Sequence, residues 1–107
     1  MVNFNELHLV AFSYFDDIII ERILMSKKEK LIKKLLQNPK DFTYDEMESL
    51  LLYFGYQLKQ GGTGSGVKFI KDNSSEVINF HRPHPNGILK KYVLDQIIEK
   101  LRKDGLL

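Results

Sequence analysis

Between Tyr56 and His81 lie three short strand-like runs separated by turn-forming residues, and this arrangement restricts the fold more than any other part of the chain. Tyr56–Gln60 alternates apolar and polar residues. Gly61-Gly62-Thr63-Gly64-Ser65-Gly66 is a loop with four glycines in six residues. Val67–Lys71 reads as a second strand and Asp72-Asn73-Ser74-Ser75 as a turn. Glu76–His81 reads as a third strand, with Ile78 and Phe80 on one face and Val77, Asn79 and His81 on the other. A parallel crossover needs a dozen or more residues, so connections this short imply an antiparallel meander.

Helical patterns flank the meander. Thr43 with Glu46 forms a capping box, in which each residue's side chain satisfies the other's backbone N–H at a helix start. Phe42 and Met47 are placed as a hydrophobic staple across the same end. Met47, Leu50, Leu51 and Phe54 then recur at helical spacing, and Gly55 supplies the stop. Ser26 with Glu29 predicts an earlier helix over about Lys27–Gln37, with Leu31, Ile32, Leu35 and Leu36 on one face and Asn38-Pro39 at its end. A last helix is expected over about Lys90–Lys103. Its apolar face is Leu89, Val93, Leu94, Ile97, Ile98 and Leu101, its basic end carries Lys100, Arg102 and Lys103, and Gly105 closes it. The order helix, helix, three strands, helix predicts an α+β two-layer sandwich, with helices on one face of a three-stranded antiparallel sheet and the other face open to a ligand.

The 107 residues suit a single domain with a modest core. Residues 1–24 stand apart. They sum to −3, whereas residues 25–107 sum to +5, giving the net +2 of the chain. Their apolar residues fit neither a strand nor a helix template cleanly. Two readings follow: an N-terminal extension over 1–24, packed on the domain at 25–107 or on a partner, or upstream sequence ahead of a start at Met25. The mass of the native N-terminus distinguishes them. Leu7–Ile20 is interrupted by His8 and Asp16-Asp17, well short of the roughly 20 apolar residues that span a bilayer, and it lacks the basic leader of a signal peptide. There is no cysteine, which removes disulfides and thiolate zinc sites and suits a reducing cytoplasm, the expected location.

Two segments carry chemical promise. Gly61–Gly66 can bring backbone amides close to a phosphate or serve simply as a long hairpin connection; it is not a P-loop, having no Gly-Lys-Ser/Thr and leading into a strand. His81-Arg82-Pro83-His84-Pro85 holds two of the three histidines, with proline on both sides of His84. Imidazole suits proton transfer near neutral pH. Cleavage of RNA through its 2′-hydroxyl needs a base for that hydroxyl and an acid for the 5′-oxygen. His84 and His81 can fill the two roles beside a cationic side chain, or either can serve as a loop hydrogen-bonding group. Two histidines without cysteines or a clear carboxylate fall short of a zinc set, so no metal or cofactor is expected. Lys68, Lys71, Lys90 and Lys91 flank these motifs, and Lys90-Lys91 open the last helix, where phosphate can bind. Tyr56, Phe69 and Phe80 are candidates either for base stacking or for the core.

Phe54-Gly55-Tyr56, Gly64-Ser65-x-Val67-Lys68-Phe69, Pro83-His84-Pro85 and Leu89-Lys90, with the order of elements, resemble the HicA family of bacterial toxins. The resemblance covers about residues 27–107; the longer His81–Pro85 motif is similar to a divergent branch. It implies a double-stranded-RNA-binding-domain-like fold, an mRNA-cleaving activity that needs no metal, and a HicB-like antitoxin as protein partner. It places Ser65, Gly66, Lys68, Arg82, Lys90 and Lys91 at the RNA. In the family a histidine follows Gly-Ser and is catalytic, whereas here the matching position is Gly66, which cannot transfer a proton. Three readings stay open: an inactivating replacement, catalysis moved to His84 and His81, or RNA binding without cleavage. A protein–protein interaction module docking through residues 1–24 is a further alternative.

Overall fold

Helix α1 (Phe4–Leu36) runs unbroken for 33 residues in the computed structural model, which describes residues 4–60, 65–74, 76–83 and 87–107, with the backbone alone at 4–16, 24, 25 and 60. The expected helix start at Ser26 is not where the helix begins. No glycine or proline lies between Phe4 and Leu36 to interrupt hydrogen bonding. Ser26 therefore sits within the helix, and its box with Glu29 has no free N-terminus to cap. At 1.5 Å per residue the helix is about 50 Å long, which accounts for a molecule measuring 61 × 30 × 29 Å. Its two ends have different surroundings. Ile19, Ile20 and Ile23 are about half exposed, while Leu35 is buried and Leu31 and Ile32 pack against the core. Leu36, expected on the same stripe, is half exposed at the rim of a depression between α1 and the last helix. Asn38 ends the turn in the left-handed region, φ 57°.

Helix α2 (Tyr44–Tyr53) begins as its sequence dictates. The Thr43 hydroxyl accepts from the Glu46 N–H at 3.1 Å, and the Glu46 carboxylate accepts from the Thr43 N–H at 3.0 Å. Lys34 of α1 donates to both Glu46 oxygens at 2.9 and 3.0 Å, so one carboxylate caps α2 and anchors α1. Burial opposes the charge on Glu46, but hydrogen bonds from Lys34 and Thr43 outweigh it and hold the carboxyl below its ordinary range. The same bond raises the Lys34 ammonium. Both staple residues, Phe42 and Met47, are fully buried.

Strands β1 (Gln57–Gln60), β2 (Gly66–Ile70) and β3 (Ile78–His81) form one antiparallel sheet in the order β1-β2-β3. Lys59 pairs with Lys68 and Lys68 with Asn79; Gly66 pairs with His81. Helix α3 (Lys91–Lys103) follows. Val67, Phe69, Ile78 and Phe80 point inward and share one core with Met47 and Leu50 of α2 and Val93 and Ile97 of α3. Both helices thus cover one sheet face, the α+β arrangement expected, consistent with a double-stranded-RNA-binding-domain-like fold. Phe69 and Phe80 stack at 6.0 Å between ring centroids, and with Tyr56 they belong to the core. A polar cluster fastens the far end: Ser74 donates to both Asp104 oxygens at 2.8 and 2.7 Å, and the Tyr56 hydroxyl also donates to Asp104. Burial and this bond push the Tyr56 phenol well above its usual range, while the bond from Tyr56 holds Asp104 below its own.

Candidate nucleic-acid interface

The outer sheet face is built by the two-residue alternation of the strands. With Val67, Phe69, Ile78 and Phe80 turned inward, Lys59, Lys68, Asn79 and His81 are left exposed to solvent. Lys59 and Lys68 stand directly opposite each other, an arrangement of like charges that costs stability in a sheet. Among the described residues neither lies within ion-pair distance of a carboxylate.

Beside β3 this face runs into a cleft of about 560 Å³ reaching the first turns of α3. Gly66 and His81, paired across β2 and β3, line its strand side. Lys90, the residue preceding α3, lines the opposite side. Lys90 makes no side-chain cap, and the first turn of α3 holds no acidic residue. Cations at a helix N-terminus oppose the helix dipole, so this edge too concentrates positive potential. The Arg82 N–H donates to the Ser65 carbonyl at 2.7 Å, continuing the ladder past Gly66 and His81. This brings the Ser65 hydroxyl to 3.5 Å from His81 Nδ1, a long contact whose donor depends on the imidazole tautomer.

The structure divides the sequence-predicted residues into groups. Gly66, His81 and Lys90 share the cleft, Ser65 sits at its edge, and Lys68 lies one row away, opposite the cleft residue Asn79. Arg82 is exposed but turned toward α2: its guanidinium lies 4.5 Å from the Tyr44 ring centroid and donates to the Tyr44 hydroxyl at 3.1 Å. Lys91 borders a separate depression with Lys40 and Ile88. His84 lies outside the described residues, as do Pro85 and the Gly61–Gly64 part of the loop. Sequence reasoning missed Lys59, whose outward position follows from the alternation in β1. It also missed Tyr92 and Gln96 on the cleft wall, whose four-residue spacing puts them on one helix face. Among the described residues no three His, Cys, Asp or Glu side chains gather as a metal site. No helix among them is long and apolar enough to cross a membrane.

Fold and surface together define a small α+β protein with a basic, histidine-bearing open sheet face. Its residues 44–104 match the model of the HicA toxin family of bacterial toxin–antitoxin systems, and the chain belongs to that family. No curated protein and no solved structure matches the chain significantly.

Proposed function

We propose that this chain is the RNA-binding toxin of a toxin–antitoxin pair, and that it cleaves mRNA by proton transfer without a metal ion. The observation that carries this reading is the convergence of Gly66, His81 and Lys90 on one cleft beside the Lys59–Lys68 pair. Two positively charged arrangements, each unfavourable by itself, lie one at the cleft and one on the sheet face beside it, and a polyanion that spans both relieves them. Lys68, Lys90 and Ser65 contact the phosphate backbone, with Arg82 and Lys91 flanking the path.

In the cleavage reaction a base removes the proton of the RNA 2′-hydroxyl, whose oxygen attacks the adjacent phosphorus. The 5′-oxygen leaves with a proton from an acid, and a 2′,3′-cyclic phosphate remains. His81 fills one role from the end of β3, and His84, two residues beyond Arg82, fills the other. A HicB-like antitoxin restrains the activity by covering the basic face. Residues 1–24 are an extension of the domain at 25–107: Ile19, Ile20 and Ile23 stay exposed, whereas Leu31 and Ile32 pack against the core and Leu35 is buried in it.

The test is RNA cleavage by the purified chain in the presence of EDTA, together with growth arrest on expression. The reading expects 5′-hydroxyl and cyclic-phosphate ends, and loss of cleavage in His84→Ala or His81→Ala. Salt-sensitive RNA binding with no cut ends instead identifies the binding-only form of the same fold. An unaltered rate in both histidine variants removes them from the mechanism.

A further inference from the structure

The cleft has a composition that phosphate binding does not explain. Its floor is apolar, formed by Val67, Phe80, Leu89 and Val93, all buried side chains of the core. Phosphates and ribose gain nothing from such a floor, whereas a flat, weakly polar ring does. The rim supplies a different set of groups. Asn79 of β3 and Gln96 of α3 each present a carboxamide, and Tyr92 is 60% exposed one helical turn before Gln96. Among the described residues no carboxylate lines the cleft. A volume of about 560 Å³ lies within the roughly 300–1,000 Å³ typical of small-ligand sites. Gly66 contributes to this space, since a Cβ built there meets no heavy atom within 4 Å.

We infer that this cleft is a nucleobase subsite: it receives one unstacked base of single-stranded RNA, with Tyr92 as the stacking surface and Asn79 and Gln96 reading the base edge. The inference rests on the RNA-binding reading given above and specifies what that reading leaves open, namely how a base is held. Carboxamides offer a donor and an acceptor side by side, the pattern that pairs with a base edge. An exposed tyrosine ring accepts any base face. Lys90 and the Lys68 row lie where the flanking phosphates of a base seated in the cleft would pass. The site therefore favours single-stranded RNA, because a paired base must first break its stacking and pairing to enter.

The experiment compares the intact chain and its Tyr92→Ala and Gln96→Ala variants by fluorescence anisotropy on two labelled probes. One is a ten-nucleotide single-stranded oligoribonucleotide of mixed sequence; the other is an abasic ribose-phosphate chain of equal length. Both replaced side chains are exposed, and circular dichroism verifies that the variants fold. The intact chain is expected to bind the base-bearing probe at least five-fold more tightly. Tyr92→Ala should reduce that preference by about five-fold or more, consistent with the strength of base–aromatic stacking, while the abasic probe binds as before. Equal binding of both probes by the intact chain, or a preference unchanged in both variants, overturns the subsite and leaves RNA binding standing. Absence of salt-sensitive binding to either probe overturns the RNA-binding reading, and the subsite with it. A preference that survives Tyr92→Ala but falls in Gln96→Ala overturns the assignment of Tyr92 as the stacking surface.

Discussion

Replacing Gly66 by histidine tests the site more sharply than removing any residue, because the outcome divides into a folding term and a chemical term of known sign. Gly66 begins β2 and faces His81 across the ladder. It is absent from the positive-φ glycines, so an L-residue fits its backbone. A Cβ there meets nothing within 4 Å, so the first atom of the new side chain displaces no neighbour. Glycine within a strand costs roughly 0.5–1 kcal/mol relative to alanine, through the backbone freedom lost on folding. Gly66→His should therefore be neutral or stabilising by up to about 1 kcal/mol, which for a domain near 100 residues raises the melting temperature by at most about 4–8 °C.

The chemical term is larger. A positioned general base or acid contributes about 10²–10⁴-fold, and a side chain at 66 opens into the cleft that His81 and Lys90 line. Gly66→His should raise single-turnover RNA cleavage by at least 10²-fold, whereas Gly66→Ala should share the stability gain without the rate. Calorimetry and a gel-based cleavage assay measure the two terms separately. A fall in melting temperature of several degrees in both variants refutes the open geometry at position 66. Normal folding with no gain in cleavage refutes a vacant proton-transfer role at position 66 and leaves both roles with His81 and His84.

Tyr56→Phe removes a hydrogen bond to a charged carboxylate and should cost about 1.5–3 kcal/mol, read by urea unfolding; an unchanged midpoint denies the Tyr56–Asp104–Ser74 cluster a role in stability. Asp104 and Glu46 have folded-state pKa values below their unfolded ones, so their contribution is present above the ordinary carboxylate range near pH 4 and should fade as the pH falls through the lower folded values. Tyr56 and Lys34 are raised, so theirs is complete below about pH 10 and should fade as the pH rises further; melting temperatures across pH, with Asp104→Asn flattening the acid limb, check both. Phe69→Ala empties a fully buried position and should cost about 3–5 kcal/mol, a large part of the roughly 5–15 kcal/mol that holds a domain together, visible as loss of the cooperative melt. Removal of residues 1–24 should shift the melting temperature by only a few degrees, because the described side chains of that segment are mostly solvent-facing; a collapse of the fold would refute their separation from the domain.

The parts of the fold legible in the sequence were those set by local rules. The Thr43–Glu46 box, the Phe42–Met47 staple and the inward pair Ile78 and Phe80 all follow from spacing within a few residues, and each appears where its spacing places it. The strand order was legible too, because the turn near Asn73 leaves little choice of pairing. What sequence could not supply was three-dimensional adjacency. Gly66 and Lys90 are 24 positions apart, and no spacing rule states that β3 and the start of α3 close around a shared cleft. Tyr92 and Gln96 read as the polar flank of an amphipathic helix until β3 is placed beside them.

The misplaced start of α1 has the same origin, and it bears on how the extension relates to the domain. A capping box is a statement about four residues, valid only if the chain before it leaves the helical conformation. Ile18–Met25 holds helix-compatible residues with nothing to end the turn, so the helix continues and Ser26 loses its purpose as a cap. If the chain were cut before Met25, Ser26 would stand near a free helix end with Glu29 three residues on, and the box could form. The sequence thus encodes a helix that can begin at Ser26 or pass through it. The core contacts of Leu31, Ile32 and Leu35 lie beyond that point in either case. The backbone from Phe4 to Leu24 is thus a continuation of α1, and the described side chains before Met25, residues 17–23, are mostly exposed.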